Sequence, residues 1–61
     1  MNPNVIRSRA AQLLGWTPAE VGQFSLLMLR ELVKDRDPKL AEEISATVAG
    51  GHYIFGERQQ Q

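Results

Sequence analysis

Each of the three prolines in this chain follows a residue whose short polar side chain makes a good helix N-cap: Asn2-Pro3, Thr17-Pro18 and Asp37-Pro38. A cap oxygen accepts one of the backbone N–H groups that a first helical turn leaves unpaired. Proline at the first helical position gives up a donor that would have had no partner there. The punctuation therefore predicts three helix starts. At the middle one, Thr17 and Glu20 have capping-box spacing, while Trp16 before the cap and Val21 after it are placed as a hydrophobic staple.

Helix one is expected over about 3–14, ending at Gly15, which can take the left-handed C-cap conformation without a Cβ clash. Its core stripe reads Ile6, Ala10, Leu13 and Leu14, with Arg7, Arg9 and Gln12 bordering or opposing that stripe in solvent. Helix two is expected over about 18–35. Helix three should cover about 38–49, with Leu40, Ala41, Ile44 and Val48 on one side, and stop at Gly50-Gly51. The apolar segment His52-Tyr53-Ile54-Phe55 is too short for a sheet of its own and is expected to fold back onto the helices. Residues 56–61, ending in three glutamines, have almost nothing to bury and read as a mobile tail. The fold class is all-α: a small three-helix domain with a short C-terminal fold-back segment, forming a single domain over 1–61.

Sixty-one residues lie near the lower limit at which one apolar core offsets chain entropy. Cysteine is absent, which removes disulfides and thiolate metal sites, so stability rests on helix packing, completed by a second subunit if one is present. Seven basic and seven acidic residues give a formal net charge of zero, without the basic excess typical of nucleic-acid binders. The start, Met1-Asn2-Pro3-Asn4, has no basic region leading into an apolar stretch, and no run approaches the roughly 18 apolar residues of a membrane span. The expectation is a soluble, cytoplasmic chain with no membrane partner.

Helix two carries more apolar surface than one packing contact requires. At about 100° per residue, Val21, Phe24, Met28 and Leu32 define one side. Gly22, Leu26, Leu29 and Val33 define an adjacent side with the spacing of a coiled-coil seam, leaving a narrow polar arc of Gln23, Arg30 and Lys34. Two readings follow. Helices one and three cover both sides, or the Gly22, Leu26, Leu29, Val33 side is self-complementary and forms an isologous homodimer. Leu27 lies nearer the polar arc and is the best candidate for an exposed apolar contact, with Tyr53 and Phe55 as further partner-binding residues.

Ala11, Gly15 and Val21 reproduce the generic helix-turn-helix spacing of a small contact residue, a turn glycine and an aliphatic anchor, and Arg9 to Leu29 looks like that motif. Any tight helical corner needs the same residue types. As a recognition helix, helix two would present Thr17 and Gln23 to bases, with Arg7 and Arg9 on phosphates, and no cation at its base-reading end.

Chemistry finds little support. His52 is the only histidine, with no cysteine or acidic cluster near it in sequence, and Ser8, Ser25 and Ser45 would each need a base and an orienting acid. Glu42 and Glu43 are adjacent, so on a helix they point about 100° apart and cannot face one substrate. The sequence thus reads as a non-enzymatic protein-interaction module without metal or cofactor, self-associating through helix two. The alternative is a dimeric helix-turn-helix regulator binding DNA through Arg7, Arg9, Thr17 and Gln23. The placement of helix two has a direct check: Thr17→Ala should destabilise the fold by about 1 kcal/mol in thermal or urea melts, and a variant melting like the parent would put the helix start elsewhere.

Overall fold

A computed structural model of the chain describes residues 2–51. Among them are four helices and no strand: α1 (Pro3–Leu14), α2 (Pro18–Gly22), α3 (Leu26–Val33) and α4 (Pro38–Ala49). The expected fold-back segment and tail, with His52, Tyr53 and Phe55, lie outside the described residues.

All three proline-marked starts fall where the sequence places them. Asn2 Oδ1 accepts from the N–H of Asn4 at 2.7 Å, Thr17 Oγ1 from that of Glu20 at 3.2 Å, and Asp37 Oδ1 from that of Leu40 at 3.1 Å. The capping box at α2 is complete, because Glu20 Oε1 accepts from the Thr17 N–H at 2.8 Å. Gly15 adopts φ +73° and closes α1, its N–H reaching Ala11 O at 2.9 Å. The first and last helices keep their expected bounds.

The long second helix does not exist as one piece. The chain leaves the helix after Gly22, and Ser25 caps a new one by accepting from the N–H of Met28 at 3.1 Å. Between them Gln23 and Phe24 donate to the carbonyls three residues back, at 3.2 and 3.1 Å, the tight bonding of a helix that is ending. Glycine favours such an end because it loses the most conformational freedom in a helix interior, and serine is a better cap than an interior residue.

The break changes the rotational phase of α3 relative to α2. In an unbroken helix Val21 would sit roughly 80° to 140° around the axis from Leu26, Leu29 and Val33. In the structure all four have 0% exposure and meet in one core with Ile6, Ala10, Leu40 and Ile44. Leu13, Leu14, Trp16, Phe24, Ala41 and Val48 pack around that core, half-buried. Ala11 and Thr47 are buried as well, so α1 and α4 present slightly different stripes from those read in the sequence.

The helix α1 packs against the other three, and the most extensive contact is between α3 and α4. The short corner after Val33 brings α4 back alongside α3, where Arg30 Nη1 donates to Ser45 Oγ at 3.1 Å. Arg36 Nη1 ties the same corner to the end of α1 by donating to Leu13 O at 3.1 Å, a cation on the carbonyl end of a helix.

These placements make opposite demands of two glycines. A Cβ at Gly22 would meet nothing within 4 Å and its φ is not positive, so Gly22→Ala should raise stability by about 0.5 to 1 kcal/mol. Gly15→Ala, at φ +73°, should lower it by about 1 to 2 kcal/mol. Urea melts of both variants check the pair, and a destabilising Gly22→Ala would contradict the open surroundings of that residue.

Candidate functional site

The structure distributes the sequence-predicted partner residues in two directions. Leu26, Leu29 and Val33 are each 0% exposed within a single chain, which corrects the expectation that they form a seam between chains: the turn at Gln23 to Ser25 rotates them into the subunit's own core. Gly22 is exposed and belongs to a different helix from the other three. Leu27 does reach the surface, at 37% exposure. Tyr53 and Phe55 lie outside the described residues.

The apolar residues that face outward are ones the sequence assigns to the neighbouring stripe. Met28 is 50% exposed and Leu32 43%, one turn apart on α3. With Leu27 they make the outer side of a helix whose inner side is fully buried. Glu31 lies between them on the same surface, and the Lys34 ammonium, 2.8 Å from its Oε1, holds its carboxyl below the usual range, first through the hydrogen bond and then through charge attraction. Arg30 Nε adds a longer contact at 3.9 Å. The charge on this face is therefore paired within the face.

Arg7 is the residue whose role the sequence conceals most. Expected in solvent, it is only 9% exposed, and its Nη1 donates to Val21 O at 3.0 Å and Phe24 O at 2.9 Å. Val21 O also accepts from the Phe24 N–H at 3.1 Å, so Arg7 gives that carbonyl a second bond, while Phe24 O lies just past the end of α2, where the helical ladder no longer supplies a donor. The guanidinium thus closes the break between α2 and α3 from the side of α1. An arginine at a position bordering a helix stripe carries no mark that separates this role from a solvated one until the break itself is known.

The same placement bears on the four residues considered for DNA. Arg7 is committed to backbone carbonyls inside the fold, and the hydroxyl of Thr17 serves the α2 cap. Arg9 and Gln23 are exposed. The Ala11, Gly15, Val21 spacing marks a genuine tight corner, with Ala11 and Val21 buried on either side of left-handed Gly15. The helix after it has only five residues, about 7.5 Å of axis, which replaces the long recognition helix the motif would need.

Two concavities flank α2. A cleft of about 560 Å³ between α1 and α2 is lined by Asn4, Arg7, Ser8, Ala19, Gly22 and Gln23. A shallower groove of about 300 Å³ is lined by Trp16, Glu20, Gln23 and Phe24, whose two rings pack with centroids 5.0 Å apart and planes tilted by 35°. Among the described residues no three His, Cys, Asp or Glu side chains are grouped as a metal ion would require, and no helix is long and apolar enough to cross a membrane. The chain matches no protein-family model, no curated protein and no solved structure.

Removing the Arg7 guanidinium while keeping most of its stem separates its hydrogen bonds from its packing. Arg7→Met should destabilise by about 2 to 3 kcal/mol, since two carbonyls lose a charged donor, whereas Arg9→Ala, on an exposed position, should stay within about 0.5 kcal/mol of the parent. Denaturant melts with equal losses for the two variants would remove Arg7 from its place at the break.

Proposed function

We propose that this chain is a non-enzymatic protein-interaction module that self-associates through the outer face of α3, with Leu27, Met28 and Leu32 as its apolar contacts. The observation that carries this reading is the two-sided character of α3. Leu26, Leu29 and Val33 complete the subunit's core, while three further large apolar side chains on the same eight-residue helix remain 37% to 50% exposed. Single exposed leucines are common on protein surfaces, whereas Met28 and Leu32, four residues apart on one helix side, share a patch that Leu27 borders.

The face is suited to a two-fold contact. Met28 and Leu32 are one turn apart, so an antiparallel crossing of two copies of α3 sets Met28 of each against Leu32 of the other. Three side chains supply only the apolar centre of a standard interface of roughly 800 Å² per partner. The expected dimer is therefore weak, with a Kd in the micromolar range or above.

Sedimentation equilibrium over about 10 µM to 1 mM tests this. The parent should shift from monomer toward dimer across that range. Met28→Glu and Leu32→Glu, at half-exposed positions, should remain folded and monomeric, because each would place a carboxylate in the contact. Leu29→Glu, by contrast, should unfold the subunit. A parent that is monomeric at the top of the range rules out self-association, and charge variants that associate like the parent move the interface away from α3.

A further inference from the structure

We infer that the groove beside Trp16 and Phe24 is a binding site for an organic ammonium ion, a quaternary one in particular. It shares no residue with the outer face of α3, so it stands apart from the self-association proposed above. The groove brings together an aromatic pair and a carboxylate: Trp16 and Phe24 form the apolar wall, and Glu20 with Gln23 the polar one. Both rings are only half-buried, so part of each is available to a ligand. Aromatic faces carry the negative part of the ring quadrupole, and indole is the strongest of them toward a cation.

Glu20 adds a carboxylate, held in place by its own helix cap. Its Oε1 accepts from the Thr17 N–H at 2.8 Å and from the Thr17 hydroxyl at 3.2 Å, which fixes the carboxylate on the first turn of α2. The ion pairs of Glu31 with Arg30 and with Lys34 lie on α3 and do not involve Glu20. A carboxylate already oriented by its cap and, among the described residues, in no ion pair with a cation lies beside an aromatic wall, an arrangement that favours positive charge.

The shape of the ion follows from what the walls lack. A primary ammonium is strongly hydrated and is held best where several acceptors converge on its three N–H donors, whereas this groove is walled largely by ring surface and one of its carboxylate oxygens already accepts from Thr17. A quaternary ammonium has no N–H to donate, is weakly hydrated, and gains from apolar contact as well as from charge. The volume of about 300 Å³ is at the lower end of small-ligand sites and suits a compact head group. That head group can belong to a free amine such as choline or to a methylated lysine side chain, and the chemistry in the groove is the same.

Trp16 is the only tryptophan in the chain, so its fluorescence reports on the groove directly. Titration of the whole chain with choline, at ionic strength held constant with sodium chloride, should give a saturable change in the millimolar range. The neutral isostere 3,3-dimethyl-1-butanol should bind at least about fivefold more weakly, the share expected of cation–π attraction alone. Glu20→Gln keeps the capping box, since glutamine serves at that position, but removes the charge, and should weaken choline by a further factor of about three to five. A trimethyl-lysine peptide that binds more tightly than choline assigns the site to a protein tail, and equal affinity assigns it to the free amine. Either result supports the ammonium site. An isostere as good as choline, a Glu20→Gln variant that binds choline like the parent, or no saturable response at all would overturn it.

Discussion

The structure depends on the two hydrogen bonds from Arg7 Nη1 to the carbonyls of Val21 and Phe24. A helix that ends against the core leaves carbonyl oxygens where water reaches them poorly, and each buried acceptor without a donor costs about 1 to 3 kcal/mol. From a neighbouring helix the guanidinium supplies a donor to Phe24 O and a second one to Val21 O, which already accepts from the Phe24 N–H. That side chain bridges the gap where α2 stops after five residues and α3 restarts in a new phase, with Ser25 supplying the cap on the other side. Nearly everything else follows from the new phase: Val21, Leu26, Leu29 and Val33 converge on one core, α4 finds an apolar surface to lie on, and Met28 and Leu32 turn outward.

What could be read in the sequence, and what could not, divides along the same line. Asn2, Thr17 and Asp37 cap their helices through bonds to residues two or three positions away, and Gly15 closes α1 with a bond to Ala11. Interactions of that range are written in adjacent letters, which is why the bounds of α1 and α4 and the start of α2 were legible. The break at Gly22 to Ser25 is local too, but both of its residues admit a second meaning. Glycine in a helix pattern also signals close packing, and serine is tolerated in helix interiors. Ser25 lacks the acidic or amide residue three positions later that marks the cap at Thr17, since Met28 stands there. With apolar residues continuing on both sides, the stretch from Val21 to Val33 reads as one helix.

The candidate surface was less legible than the fold, for a geometric reason. A helix position is buried or exposed according to its angle about the axis, and an unrecognised turn shifts that angle for every residue after it. The helical repeat alone sets Leu26, Leu29 and Val33 on one side of their helix and Met28 with Leu32 on another, but which group faces inward depends on the phase that the break resets. Leu27 lies well away from Leu29 and Val33 on the helical wheel, so its exposure held under either phase. Arg7 was hidden for a different reason: its partners are 14 and 17 residues away, and no short-range pattern announces a bond of that span.

The inventory of apolar residues connects the size of the chain to the proposed self-association. Among the described residues seven large side chains are fully buried, from Ile6 to Ile44. A domain this short sits close to the point where burial and chain entropy balance, so apolar surface left outside the core is a substantial share of what the chain could still bury. Met28 and Leu32 are such surface, at half exposure on the helix that contributes most to the core. In a self-associating chain the same helix would then serve both purposes, its inner side holding the subunit together and its outer side the pair. Because a contact made only by the folded subunit stabilises it by mass action, association and folding would reinforce each other. An α3 phase that turned Met28 and Leu32 inward would remove the proposed contact as well as the core, so both would depend on the break that Arg7 bridges.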